Sequence, residues 1–142
     1  MDDEIRGQLS GAGLELLGSQ YVAGTLTPEQ AWRMVISGNA GLWVTVSDDA
    51  DRRLDTVNEN WHKLSEDLGL IGSDGEFLLS LPGPGAWEKP WYRVRKASEL
   101  RMAQVLAPYP GEPEYVTASL RGFPVVGVTS EENATWILVF EG

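Results

Sequence analysis

The most regular helical pattern of apolar residues lies in the first half of the chain. Its apolar residues are spaced by three and four positions, and they are Leu54, Val57, Trp61, Leu64 and Leu68. That spacing places them on one stripe of a helix, with residues 47–49 as its acidic start and Gly69 as its stop. The pattern therefore predicts a long helix with one apolar face.

Three further segments have less regular helical patterns. Residues 5–22 carry an apolar stripe that weakens at residues 10–13, where glycines each cost up to about 1 kcal/mol in a helix interior. Residues 27–30 combine a capping threonine, a proline at the first helical position and the glutamine of a capping box, so they predict a helix start, and Gly38 predicts its end. Residues 98–106 predict a short fourth helix.

Runs of apolar and β-branched residues, several of them alternating with polar ones, predict six strands. These are residues 42–46, 76–81, 91–95, 114–120, 124–128 and 135–140. A proline–glycine loop at residues 82–85, a proline-rich link at 108–113 and a polar connection at 129–133 separate them. The close spacing of the last strands favours antiparallel pairing. The long helix between the first two strands fits a right-handed crossover, which would make that pair parallel.

Together these elements predict an α+β fold. We expect a mixed or antiparallel sheet of five to six strands, with two to four helices packed mainly on one face. No composition change marks a domain boundary, and 142 residues suit one domain. Residues 1–142 are therefore expected to form a single domain.

Charge and composition exclude several classes of protein. With 21 acidic and 11 basic residues, the net charge of −10 argues against binding to duplex nucleic acid or to anionic membranes. The absence of cysteine excludes disulfide scaffolds and thiolate metal sites, and a single histidine excludes multi-histidine sites. No apolar run is long enough to span a membrane, and the acidic start is unlike a signal peptide, so we expect a cytoplasmic protein.

No catalytic constellation or cofactor motif stands out. His62 lies off the apolar stripe of its helix, and no nucleophile elbow or phosphate-binding glycine loop is present. The densest acidic group contains Asp48, Asp51 and Asp55, but two arginines interleave with it, and acids at a helix start need no metal to explain them. We therefore expect no catalytic residues, no metal and no cofactor.

The segment from residue 89 to 101 differs from the rest of the acidic chain. It holds five basic residues against one acidic residue, with aromatic residues interleaved or adjacent. As a recognition surface it would present Trp87, Trp91, Tyr92, Arg93 and Arg95. Alternatively, it is a solvated strand face whose arginines pair with acids of the same chain.

Three functional hypotheses follow. The first is a non-enzymatic acidic binding protein acting through protein–protein recognition, such as an immunity or antitoxin-type inhibitor or an adaptor. Here Asp48, Asp51 and Asp55 would face a basic partner. The second is a domain or enzyme that binds an anionic small molecule in a Trp/Arg-lined pocket near residues 82–95. The third is a structural subunit of a larger assembly, docked through the apolar stripe of the long helix.

Overall fold

The computed structural model describes residues 3–37 and 41–141. Its helices are α1 (Asp3–Gly11), α2 (Pro28–Ile36), α3 (Arg53–Asp67) and α4 (Met102–Val105), with a 3₁₀ turn at Ala86–Glu88. Its strands are β1 (Leu14–Gln20), β2 (Gly41–Ser47), β3 (Glu76–Ser80), β4 (Trp91–Lys96), β5 (Tyr115–Ala118), β6 (Val125–Glu131) and β7 (Ala134–Phe140).

The strands form one sheet in the order β1-β4-β3-β5-β6-β7-β2, and every neighbouring pair is antiparallel. This confirms the α+β class and the antiparallel alternative. The described part of the chain has seven strands, so the expected count of five to six is wrong. The expected parallel crossover is also wrong, because three strands separate β2 from β3.

The seventh strand is β1, which lies in the second half of residues 5–22, where the sequence predicted a helix weakened at residues 10–13. Helix α1 ends at Gly11, and Gly13, with φ of +87°, lies in the turn that leads into β1. The carbonyl of Gly13 accepts hydrogen bonds from the backbone N–H groups of Ala97 and Ser98. A side chain at Gly13 would place its Cβ 2.3 Å from the backbone oxygen of Glu99. After this turn, burial alternates as in a strand, with Leu14 buried and the next residue exposed.

The two faces of the sheet carry separate cores. Helices α1, α3 and α4 cover one face, where Trp61 packs against Phe77 with ring centroids 5.1 Å apart. Helix α2 covers part of the other face, where the indole N–H of Trp32 donates to Ser80 Oγ at 2.7 Å. Three helices thus share one face as expected, and α2 is the exception.

Helix α2 begins with the predicted capping box and lies close to the sheet. Thr27 Oγ1 accepts from the backbone N–H of Gln30, and the side chain of Gln30 accepts from the backbone of Thr27. A Cβ on Gly127 of β6 would lie 2.6 Å from a methyl group of Val35, so the glycine permits this close packing. The expected helix end at Gly38 lies outside the described residues.

Three expected boundaries shift in the structure. Helix α3 begins at Arg53, because residues 47–51 instead form a turn in which the backbone N–H of Ala50 donates to the carbonyl of Ser47. Helix α4 is shorter than predicted, and β6 continues to Glu131 through most of the expected polar connection.

No helix in the described ranges is long and apolar enough to cross a membrane.

Candidate functional site

The structure buries two of the aromatic residues predicted for a recognition surface. Trp91 is fully buried, and its indole N–H donates to the carbonyl of Leu26 at 3.1 Å. Tyr92 is also buried, in the core on the opposite face of the sheet. The expectation that Trp91 and Tyr92 are presented on a recognition surface is therefore wrong, and the two rings do not line one pocket.

The arginines of β4 have acidic partners within the chain. Arg93 Nε lies 3.3 Å from a carboxylate oxygen of Glu76, and Arg95 donates to Glu15 at 2.8 Å. The hydrogen bond that Arg95 donates to Glu15 raises the pKa of Arg95 above its ordinary value. The internal pairing that the sequence offered as an alternative is therefore present for both arginines.

The three acidic residues predicted for partner binding differ in their partners within the chain. Asp48 lies 3.8 Å from Arg53, in the turn before α3, and Asp51 is exposed in the same turn. Asp55 pairs with Arg52 at 3.2 Å and also accepts a hydrogen bond from Gln104. Within the described ranges, no group of three or more carboxylate or imidazole side chains is arranged to hold a metal ion.

A different acidic surface lies beside α2, at one end of the sheet. Three adjoining cavities of about 370, 320 and 410 Å³ open there, and Glu114 lines all three. We call this surface the acidic cleft. Its charged and aromatic lining residues are Trp32, Trp87, Glu88, Tyr109, Glu112, Glu114, Glu131 and Trp136.

Strand register explains why these residues meet. Tyr115 of β5 pairs with Val128 of β6, so Glu114 and Thr129 are the next neighbours along the two strands. Both lie on the α2 face, because side chains alternate and the paired residues Tyr115 and Val128 face the other core. Helix α2 ends at Ile36, so it leaves this end of the sheet face open.

The second wall of the cleft is the loop of residues 82–88. Trp87 lies in its 3₁₀ turn and is 38% exposed, which places a large aromatic surface at the cleft mouth. The guanidinium carbon of Arg33 lies 5.2 Å from the centroid of the Trp87 ring. Arg33 also forms an ion pair with Glu29 of the same helix. Trp87 is thus the one predicted site residue that lines this cleft.

The cleft has an uncompensated negative charge. Its four carboxylates are not matched by any Lys, Arg or His lining the three cavities, and none forms an ion pair with a described residue. Partial burial raises the pKa of Glu114 above its ordinary value, and nearby Glu131 raises it further. The C-terminal end of α2 adds partial negative charge at Ile36. The cleft therefore favours a cationic ligand.

Sequence reasoning did not identify the acidic cleft. Glu114 was assigned to the start of a strand and Glu131 to a polar connection, and nothing in their spacing of 17 positions along the chain brings them together. A usable signal was the alternation through Gly127, Thr129 and Glu131, which extends β6 beyond its predicted end. The partner strand and register could not be read from that signal.

Comparison of the chain with protein-family models, with curated proteins and with solved structures finds no match in any of the three.

Proposed function

We propose that this chain is a non-enzymatic acidic binding protein that recognises a basic protein partner, in the manner of an immunity or antitoxin-type inhibitor or an adaptor. The observation that carries the proposal is the acidic cleft, where four unpaired carboxylates lie beside exposed aromatic side chains. Aromatic residues dominate the energetics of protein interfaces, and charge complementarity accelerates association.

The carboxylates of the cleft are better candidates for binding a basic partner than those near the start of α3, because fewer of them are paired within the chain. An acid that already holds an internal cation, as Asp55 holds Arg52, must exchange that partner to bind another. Glu114 and Glu131 have no such ion pair among the described residues, so a basic side chain from a partner would remove their mutual repulsion. Asp48 and Asp51 remain candidates for long-range attraction of the partner, because both are exposed.

The anionic-ligand alternative has less support. The cavity beside residues 82–88 is lined by Glu88 and Glu114, and both carboxylates would repel an anion. Arg93 and Arg95, the expected anchors, pair with acids on other strands. The structural-subunit alternative depends on the stripe of α3, whose central residue Trp61 is fully buried in the chain's own core.

Capture of partners from a host lysate by three immobilised proteins tests the proposal. The first is the wild type, and the second is the cleft variant E88Q/E112Q/E114Q/E131Q. The third is a control with the same change in net charge on the other face of the sheet, D3N/E59Q/D67N/E99Q. Retained proteins are quantified by mass spectrometry at low and high ionic strength.

We expect a basic protein to be retained by the wild type and the control and lost by the cleft variant. Retention should also fall at high ionic strength, because salt screens exposed charges. Equal retention of the same protein by the wild type and the cleft variant would contradict the proposal. So would the absence of any basic protein from the wild-type eluate.

A further inference from the structure

One buried side chain in the acidic cleft has an unused hydrogen-bonding group. Thr129 is only 8% exposed, and its Oγ1 has no hydrogen-bond partner among the described residues. The buried hydroxyls of Ser65 and Tyr115 also lack partners there, but neither lines one of the cavities in the cleft. Thr129 lines the cavity of about 320 Å³, and its unpartnered Oγ1 is itself buried, so a rotation about the Cα–Cβ bond would present the hydroxyl to a ligand in that cavity.

Two carboxylates share this cavity with Thr129. Glu114 and Glu131 are close enough to interact, since the charge of Glu131 raises the pKa of Glu114. Two like charges and a free hydroxyl present several hydrogen-bond acceptors to one small volume. A ligand that donates several hydrogen bonds and carries positive charge would satisfy all three groups.

Aromatic rings favour a planar cation over a compact one. Trp32 and Trp136 line the same cavity, and the hydrogen bond from the Trp32 indole to Ser80 holds that ring in place. A guanidinium is planar, stacks on aromatic faces and donates through five N–H groups, whereas an ammonium is a compact, strongly hydrated point charge. The chain already uses this chemistry at the neighbouring wall, where Arg33 lies over Trp87.

We propose that Glu114, Glu131, Thr129 and Trp136 form an anchor pocket for the guanidinium group of an arginine on the basic partner. This inference rests on the proposed function and adds the chemical identity of the anchoring side chain. The two carboxylates accept from the guanidinium N–H groups, Thr129 Oγ1 accepts a further N–H, and the Trp136 ring packs against the guanidinium plane. The remaining cleft carboxylates, Glu88 and Glu112, stay outside this pocket.

Titration of the full chain with N-acetyl-arginine methylamide tests the anchor pocket directly. Two-dimensional ¹H–¹⁵N NMR follows the indole N–H signal of Trp136, with N-acetyl-lysine methylamide as the matched probe. We expect the arginine probe to shift this signal saturably, with an affinity at least about threefold higher than that of the lysine probe. A salt titration separates this site from general attraction, because a stacked and partly buried pair is screened less than exposed charges.

Three variants sharpen the test. E114Q/E131Q should abolish saturable binding, and T129V should weaken it about three- to tenfold, because only the hydroxyl acceptor is removed. S65A is the matched control, since it removes a buried unpartnered hydroxyl from the opposite face and should bind like the wild type. Backbone spectra of each variant report whether it is folded. If E114Q/E131Q unfolds, the single variant E131Q takes its place and should weaken the binding of the arginine probe.

Several results would overturn the anchor pocket. They are no saturable shift at Trp136 with the arginine probe, equal affinity for the two probes, or wild-type affinity in T129V. Such a result leaves the proposed function to the capture experiment, which reads the whole acidic cleft through a protein partner. Loss of capture selectivity together with loss of probe binding would contradict both proposals, whereas selective capture without probe binding would contradict the arginine anchor alone.

Discussion

The two ends of the sheet differ in how the chain treats its charges. At the end formed by β1, β4 and β3, Arg95 pairs with Glu15 and Arg93 with Glu76. At the end formed by β5, β6 and β7, Glu114 and Glu131 have no ion pair with a described residue and line a cavity together with the rings of Trp32 and Trp136. The strand arginines at the first end are therefore neutralised within the chain, whereas the carboxylates at the second end remain unpaired and can bind another molecule.

This comparison shows that density of charge along a sequence is a poor guide to a binding surface. Five basic residues in residues 89–101 form the most unusual segment of the chain, yet its two strand arginines are occupied internally. The acids of the cleft come from distant segments, so no local excess marks them. Unpaired charge in the folded chain is the more informative quantity.

Buried polar groups on the two faces of the sheet sharpen the comparison further. Asn58 on α3 uses both ends of its amide, since Oδ1 accepts from the backbone N–H of Ala103 at 2.9 Å and Nδ2 donates to Gln104 at 2.8 Å. Thr129 in the cleft has a hydroxyl with no partner among the described residues. The first group stabilises the fold, and the second is available to a ligand.

The largest expected effect tests this difference. N58A should lower the free energy of unfolding by about 2–3 kcal/mol, because it leaves the backbone N–H of Ala103 and the side-chain carbonyl of Gln104 without the partner that Asn58 provides. T129V should change it by less than about 0.5 kcal/mol or increase it, because no internal hydrogen bond is lost. Urea denaturation of both variants measures the two values. A loss in T129V as large as that in N58A would remove the distinction between the two sites.

A second prediction concerns the close packing of helix α2 against strand β6. G127A should lower the free energy of unfolding by about 1–3 kcal/mol, because its Cβ would overlap a methyl group of Val35 on α2. G18A on β1 is the control, since a Cβ there has nothing within 4 Å. Thermal or urea denaturation measures both.

The double variant V35A/G127A checks the cause of that loss. The smaller alanine on α2 makes room for the new methyl group, so the two substitutions should destabilise less together than the sum of the single variants. Additive losses would show that Gly127 matters for a reason other than its contact with α2.

Local signals predicted much of the fold. The capping box at Thr27 and Gln30 is present, and the strands predicted at 76–81, 91–95 and 135–140 agree with β3, β4 and β7 to within one residue at each end. Strand β1 was missed because Leu14, Leu16 and Leu17 fit a helical stripe as well as a strand. The positive φ of Gly13 decided between the two, and a glycine alone does not reveal whether its φ is positive.

The candidate site was less predictable because it depends on contacts between distant segments. Trp87 was anticipated, but Trp91, four residues later, is buried under a different part of the fold. Arg93 lies two residues after Trp91, and only the pairing of the strands shows that Glu76 neutralises it. Partner strands and register determine which charges meet, and a single sequence does not encode them in any local pattern.

The smallest expected effect compares one carboxylate from each end of the sheet. At neutral pH, E114Q should raise the free energy of unfolding by less than about 1 kcal/mol, because solvent screens the partly exposed Glu114. E15Q should lower it slightly, because it removes the carboxylate that Arg95 holds at 2.8 Å. Changes of opposite sign in the free energy of unfolding would support the distinction between an unpaired and a paired acid, and changes of the same sign would contradict it.

The pH dependence of E114Q identifies the cause of its effect. Folding raises the pKa of Glu114 above its ordinary value of 4.5, so the folded state binds more protons between that value and the raised one. The wild type consequently loses stability from Glu114 as pH rises through this window, and E114Q does not. Urea denaturation from pH 4 to pH 7, with E15Q in parallel, should show the benefit of E114Q growing with pH to a plateau above the raised pKa. A constant benefit across this range would mean that Glu114 is destabilising through packing, and its unpaired charge would no longer distinguish the two ends of the sheet.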